Sequence, residues 1–295
     1  MFIGRSSRPM RAARNVTPPF GDACFAIPAQ RPFVRCDGLS YRTWKQWACG
    51  GHGDGGGDGM GLFDGRRAVV TGGSSGIGEG LARLLVNEGA DVAIVARRPD
   101  KLARVADALR GGTGDARTRI VAVSADVRDE ASVADMAEQV IDAFGAVDIL
   151  VNSAGCGAWK TIDEMPAAEW RAVIDTNLTG TFLVTHAFLG GMIEAGSGHI
   201  LNMSSVAGKL GFPTGSAYCA SKWGVLGFTR ALAAEARPHG IRVDALCPGT
   251  VDTPFENSPA ASPIQLEVAD VVEAARDVMT LPRQVRVDDL VIYPT

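Results

Sequence analysis

Thr71-Gly72-Gly73-Ser74-Ser75-Gly76-Ile77-Gly78 is the stretch whose reading decides the fold. The apolar run Arg67–Thr71 (RAVVT) leads straight into it. Ile77–Glu88 follows with helical spacing, placing Ile77, Leu81, Leu84 and Leu85 on one face. A glycine-rich turn between a strand and a helix has a physical use. Gly72 lets the chain reverse after the strand, Gly76 lets the backbone approach a pyrophosphate, and Gly78 lets the helix pack close to the sheet. The helix N-terminus then offers free N–H groups and the positive end of its dipole. Gly72, Ser74, Ser75, Gly76, Ile77 and Gly78 are the predicted phosphate cradle.

Outward from this turn, strand and helix patterns alternate. Asp91–Ala96, Arg119–Ser124, Asp148–Asn152, His199–Ser204, Ile241–Cys247 and Leu290–Ile292 read as further strands. Pro99–Arg110, Asp129–Phe144, Ala167–Ala195 (with a break near Gly180), Ala217–Ala236 and Leu266–Thr280 read as helices. Strands that are short and apolar throughout are buried on both faces, as in a parallel sheet covered by helices. The expected fold is therefore α/β, a Rossmann-type doubly wound parallel sheet of about seven strands with helices on both faces. Its ligand belongs beyond the carboxyl ends of the strands, at the switch point.

The chain has 295 residues, 46% of them hydrophobic, with a formal net charge of −4. That balance argues against a nucleic-acid surface. No apolar run reaches the length of a membrane span. The six cysteines, at positions 24, 36, 49, 156, 219 and 247, form no CxxC pair and no Cys/His cluster, so no metal site is expected. Cys156, Cys219 and Cys247 lie in apolar stretches and suit a reducing, cytoplasmic compartment. Residues 1–60 are different in kind. They hold eight bases and four acids and end in a glycine-rich run with a lone His52. They read as a disordered or non-native extension before a start at Met60, rather than as a targeting segment, and residues 61–295 as a single domain.

Two further patterns carry chemistry. The second strand ends Ala96-Arg97-Arg98, with no acid where a ribose 2′-hydroxyl would be held. Arginines there suit a 2′-phosphate, so NADP(H) is favoured over NAD(H). Tyr218 and Lys222 stand four apart on one helix face. A cation near the phenol favours the phenolate and prepares Tyr218 to exchange a proton with a substrate oxygen.

The TGxxxGxG spacing, together with Tyr218-Cys219-Ala220-Ser221-Lys222, resembles the classical short-chain dehydrogenase/reductase family across about residues 62–293. The resemblance implies a nicotinamide-dependent oxidoreductase that moves a hydride between cofactor and a carbonyl or alcohol carbon. Asn202-Met203-Ser204-Ser205 looks like the family's serine motif, with Ser205 rather than Ser204 as the group that orients the reacting carbonyl. Asn177 resembles the asparagine that holds a water linking the lysine to solvent. Tyr218 supplies the proton, and Lys222 also grips the nicotinamide ribose. Asp126 and Val127 resemble the pair at the adenine. Asn152-Ser153-Ala154-Gly155 resembles the NNAG motif, with serine replacing its second asparagine, and assigns Asn152, Ala154 and Gly155 to the cofactor groove. Pro248, Gly249, Val251 and Thr253 resemble the segment that holds the carboxamide.

Substrate residues are expected near Cys156–Trp159, Lys209–Pro213 and Phe255–Pro263. They are largely apolar, which points to a hydrophobic or medium-sized carbonyl compound. The resemblance also implies a homodimer or homotetramer paired through the helices near 167–195 and 217–236. A non-catalytic NADP-binding regulator of the same fold is the alternative. A sensor has no need of an activated tyrosine, and the presence of Asn177, Ser205, Tyr218 and Lys222 together argues against it.

Overall fold

The computed structural model describes residues 61–112, 118–255 and 264–295. All of them belong to one compact unit, Asp54–Thr295. The expectations for residues 1–60, including His52 and the start at Met60, lie outside the described residues, as does most of the Phe255–Pro263 segment.

Seven strands form one sheet: β1 Arg67–Thr71, β2 Asp91–Ala96, β3 Ile120–Ser124, β4 Ile149–Asn152, β5 Gly198–Met203, β6 Ile241–Pro248 and β7 Asp289–Ile292. Their order is β3-β2-β1-β4-β5-β6-β7, with every neighbouring pair parallel. Between them run α1 Gly76–Asn87, α2 Pro99–Gly112, α3 Glu130–Phe144, α4 Ala167–Ile174, α5 Gly180–Ala195, α6 Ser216–Ala236 and α7 Val268–Thr280. The expected doubly wound α/β fold is therefore present. β1, β2, β4, β5 and β6 are buried along nearly their whole length, whereas the edge strand β7 is half-exposed. On one face of the sheet, Val69, Val95, Leu150, Ile200 and Val243 pack with Met136, Val140, Val184, Phe188 and Leu232 from α3, α5 and α6. Burial of each such side chain is worth about 1.5–3 kcal/mol.

Local chemistry explains the element ends. Asp129 caps α3, its carboxylate accepting from the N–H groups of Ala131 and Ser132. Gly145 ends the same helix with φ of 79°, a conformation that costs a side-chain-bearing residue energy. Leu266, expected inside the last helix, instead pairs with Val251 in an isolated parallel bridge. α7 begins at Val268 behind a capping box formed by Glu267 and Asp270.

The stretch expected as one long helix with a break near Gly180 is two helices joined by a wide π turn, Asp175–Thr179. The break comes five residues earlier than Gly180. Gly180 itself starts α5 and lies against the loop after β3, where an added Cβ would stand 2.7 Å from a methyl of Val127.

At the amino edge of the sheet, Asp148 ties β1 to β4. Its two oxygens accept from Nε (2.7 Å) and Nη2 (3.0 Å) of Arg67. Nearby, the buried carboxylate of Asp244 receives His199 Nε2 at 2.8 Å and Arg242 Nε at 3.0 Å.

Candidate active site

β1 and β4 are neighbours whose following connections run to opposite faces of the sheet, and the carboxyl ends of the strands part there. One hydroxyl holds that junction. Thr71 Oγ1 accepts from the N–H groups of Ser153 and Ala154, each at 3.1 Å. Gly72 takes φ of 69°, and a Cβ on it would lie 2.8 Å from the Ser153 carbonyl oxygen. A Cβ on Gly78 would lie 2.4 Å from the Gly72 carbonyl oxygen. The turn thus needs glycine at both positions, for the strand-end approach and for helix packing. Ser75, the N-cap of α1, spends no side-chain hydrogen bond on its own helix, so the first-turn N–H groups stay available to a ligand.

The cleft over this turn has a volume of about 740 Å³. Gly72, Ser74, Ser75, Gly76, Ile77 and Gly78 line one side of it, and Arg97 and Arg98 stand at the end of β2. Neither guanidinium has an ion-pair or hydrogen-bond partner among the described residues. Asp126 and Val127 line the same end. Arg128 grips the Asp126 carboxylate through Nε (2.9 Å) and Nη2 (2.6 Å), and this bond holds the Asp126 carboxyl below its ordinary range. A pyrophosphate at the turn and a phosphate at the arginines both fit this donor set, which carries no acid at Ala96 to repel the second.

At the other end of the cleft, Ser205 follows β5, and Tyr218 and Lys222 stand on α6. Ser205 Oγ accepts from Ala207 N–H at 3.1 Å and donates to the Pro248 carbonyl at 3.4 Å. Ser204 turns away and donates to the Lys222 carbonyl at 3.1 Å. Lys222 Nζ lies 5.6 Å from the Tyr218 ring centroid. Trp159 packs at a tilt against Tyr218 with centroids 5.0 Å apart, and Phe212 and Phe255 complete an aromatic wall. The indole N–H of Trp159 is buried without a hydrogen-bond partner among the described residues.

The titration behaviour differs from the sequence expectation. Burial pushes the Tyr218 phenol up to about 12, the Ser205 hydrogen bond opposing it. Burial also brings the Lys222 ammonium down to about 8. The Lys222 ammonium lies over the Tyr218 ring and donates to the Met203 carbonyl.

Two residues expected in the site lie behind its wall. Asn152 is 3% exposed, and its amide donates to Thr185 (3.0 Å) and Asn202 (2.9 Å). The resemblance assigns it to the cofactor, but its side chain is enclosed between strand and helix. Asn177, in the π turn, accepts from the Cys156 N–H at 2.8 Å and donates to the Cys156 carbonyl and Ser221 Oγ, each at 2.9 Å. It clamps the 155–157 loop to the start of α6. Ala154, Gly155, Pro248, Gly249, Val251 and Thr253 line the cleft as expected. Two contributors were not singled out from sequence. Thr71 stands in the quoted turn, and its type alone could have suggested a hydroxyl bridge. Arg128 had no sequence signal, because its partner is reached only by the loop's own curl.

Residues 66–262 match the short chain dehydrogenase family. An uncharacterized oxidoreductase of Staphylococcus epidermidis is 36% identical over 228 residues, 77% of this chain and 96% of that protein. A Streptomyces virginiae protein that carries the name of a ketoacyl reductase of the monensin polyketide synthase is 43% identical over 192 residues, 64% of this chain and 72% of the relative. The structure of an alcohol dehydrogenase from the archaeon Thermococcus sibiricus, complexed with 5-hydroxy-NADP, superposes with a TM-score of 0.71 at 33% identity, covering 77% of this chain and 95% of that one. A dinucleotide-type cleft with a serine, a tyrosine and a lysine at one end is thus set in a chain that belongs to the short-chain dehydrogenase/reductase family of oxidoreductases.

Proposed function

We propose that this oxidoreductase uses NADP(H) to interconvert a carbonyl and a secondary alcohol, with Ser205, Tyr218 and Lys222 as the working groups and Asn177 positioning them. The observation that carries the reading is the joint placement of Ser205, Tyr218 and Lys222 along one wall of a cleft whose far end holds the unpaired Arg97 and Arg98. Arginine matches phosphate through a planar fork of donors, which favours the 2′-phosphorylated cofactor. The Thermococcus sibiricus enzyme, bound to an NADP derivative, supports the same choice.

The bound nicotinamide would supply or take up the hydride. Gly72, Ser74, Ser75, Gly76, Ile77 and Gly78 would hold its pyrophosphate, and Lys222 its ribose. Ser205 donates to the substrate oxygen and fixes its direction. Tyr218 gives its phenolic proton to that oxygen during reduction and takes it back during oxidation. Trp159, Phe212 and Phe255 exclude water around the oxygen and favour an apolar substrate body. The name of the Streptomyces virginiae relative makes ketoacyl compounds the first class to try.

Phe182 on α5 and Trp223 on α6 are 46% and 55% exposed, and Phe182 packs edge-on to Phe228. Large apolar side chains left on two neighbouring helices suit pairing with a second copy of the chain. The free thiols of Cys156, Cys219 and Cys247 suit a reducing, cytoplasmic compartment.

The test is a fluorescence titration with NADPH and NADH, followed by turnover on a panel of ketones and keto esters. Tight NADPH binding with turnover that disappears in Tyr218→Phe is the expected result. Nucleotide binding without turnover on any carbonyl would favour the non-catalytic regulator. Binding of neither nucleotide would sink the reading.

A further inference from the structure

A second cavity, of about 550 Å³, lies at the amino edge of the sheet, away from the cleft. Its walls come from the starts of β1, β4, β5 and β6, the turn after α6, and the segment after α7. Arg66, Arg237, Arg242, Arg283 and Arg286 line it, against the single acid Asp148.

The charges do not cancel. Asp148 is committed to Arg67, which holds both of its oxygens, and Arg66 reaches it only at 3.8 Å. Arg242 is neutralised by Asp244 at 3.0 Å, and its other N–H groups go to the carbonyls of Val278, Met279 and Leu281. Arg286 pairs with Asp288. Three guanidinium charges are left. Arg66 has only the long contact. The Arg237 guanidinium has no hydrogen-bond or ion-pair partner among the described residues. Arg283 donates to the neutral hydroxyl of Ser197. Like charges around one concavity repel each other, and an anion placed among them removes the repulsion. Each guanidinium presents a planar fork of donors that matches a phosphate or carboxylate edge.

We propose that this cavity is a second ligand site, one that takes a small multivalent oxyanion, either a polyphosphate or a polycarboxylate. It is independent of the nucleotide cleft. The competing account is that Arg237 and Arg283 only offset the negative carboxyl ends of α6 and α7.

Calorimetric titration of pyrophosphate and of citrate into the full chain saturated with NADPH, at low ionic strength, decides between them. The same titrations are run on Arg237→Gln, Arg283→Gln and, as the cleft control, Arg97→Gln. Binding of at least one anion, weakened about tenfold or more in Arg237→Gln and Arg283→Gln and retained in Arg97→Gln, is expected, the size of a lost hydrogen bond to a charged group. Binding of pyrophosphate alone assigns phosphoryl groups, and binding of citrate alone assigns carboxylates. Arg237→Lys, which keeps the charge, should recover part of the affinity. Absence of binding by both anions overturns the proposal. So does affinity that survives in Arg237→Gln and Arg283→Gln, or that vanishes in Arg97→Gln. Lower thermal midpoints in Arg237→Gln and Arg283→Gln with unchanged anion affinity would leave the arginines as helix-end charges, which also overturns it.

Discussion

The ammonium nitrogen of Lys222 lies 2.8 Å from the carbonyl oxygen of Met203, the last residue of β5. The lysine is 5% exposed, and burial holds it near 8, against an ordinary value of 10.5. The folded chain therefore binds this proton less tightly than the unfolded chain. The contribution of Lys222 to stability improves as pH rises from about 8 towards 10.5, and below that window the buried charge is a burden. A shift of this size is worth about 3 kcal/mol. Lys222→Met removes the burden but leaves the Met203 carbonyl without its donor, which costs about 1–2 kcal/mol. We expect Lys222→Met to raise the unfolding free energy at pH 7 by about 1–2 kcal/mol in urea melts, and turnover to vanish. A less stable variant would show that the lysine holds the fold together.

The two directions of reaction should respond oppositely to pH. A phenol near 12 stays protonated at neutral pH, so under the proposed function Tyr218 would keep the proton that carbonyl reduction consumes. Reduction should fade only as Lys222 loses its charge above about 8. Alcohol oxidation needs the phenolate and should keep climbing beyond pH 9. Rate profiles in both directions check this, and an oxidation rate already level at pH 7 would contradict it.

Arg97→Gln should separate the two nicotinamides. NADPH affinity should drop roughly 10- to 100-fold, the size of a lost charge-assisted hydrogen bond, with NADH affinity changing little. Equal losses for both cofactors would place the arginine at the pyrophosphate instead of the 2′-phosphate.

Gly157 and Trp159 should behave as a coupled pair. A Cβ on Gly157 would stand 2.6 Å from Trp159 Cζ2 and 3.0 Å from Phe255 Cε1. Gly157→Ala must displace the indole packed against Tyr218, at a cost of about 1–3 kcal/mol, and kcat/KM should fall roughly tenfold. In a Trp159→Ala background the same change meets only the Phe255 edge, and its further effect should be clearly smaller. Equal losses in both backgrounds would refute the coupling.

The parts most legible in the sequence follow from short-range rules. β1 and β2 begin and end where the RAVVT and DVAIVA patterns do, because a doubly buried strand must be apolar and stops at the first glycine or charge. The Gly-rich turn, Ser205, Tyr218 and Lys222 sit in chain order where the pattern puts them. What the sequence hid depends on direction and on three-dimensional neighbours. Asn152 ends a strand at the cleft, yet which way its side chain points depends on Thr185 and Asn202, 33 and 50 residues away. The π turn at Asp175–Thr179 leaves no mark in helical periodicity, and the close approach of Gly180 to Val127 that follows it joins residues 53 apart in the chain. The titration of Tyr218 could not be read from the spacing to Lys222, since it turns on burial and on where the ammonium points.

The buried amides behind the cleft give the wall that carries Ser205, Tyr218 and Lys222 its gauge. Thr185 on α5, Asn152 on β4, Asn202 on β5 and Thr229 on α6 form one hydrogen-bonded rail, each link 2.9 to 3.0 Å long. Apolar contacts tolerate sliding, whereas a chain of directional bonds does not. The spacing of α6, which carries Tyr218 and Lys222, from the strand that leads into Ser205 is therefore set by bond length and not by how fully the core is packed. Exchange of aliphatic side chains around the rail should shift the melting temperature and leave the distance between Ser205 and Tyr218 the same. The scaffold can drift and the chemistry keeps its alignment.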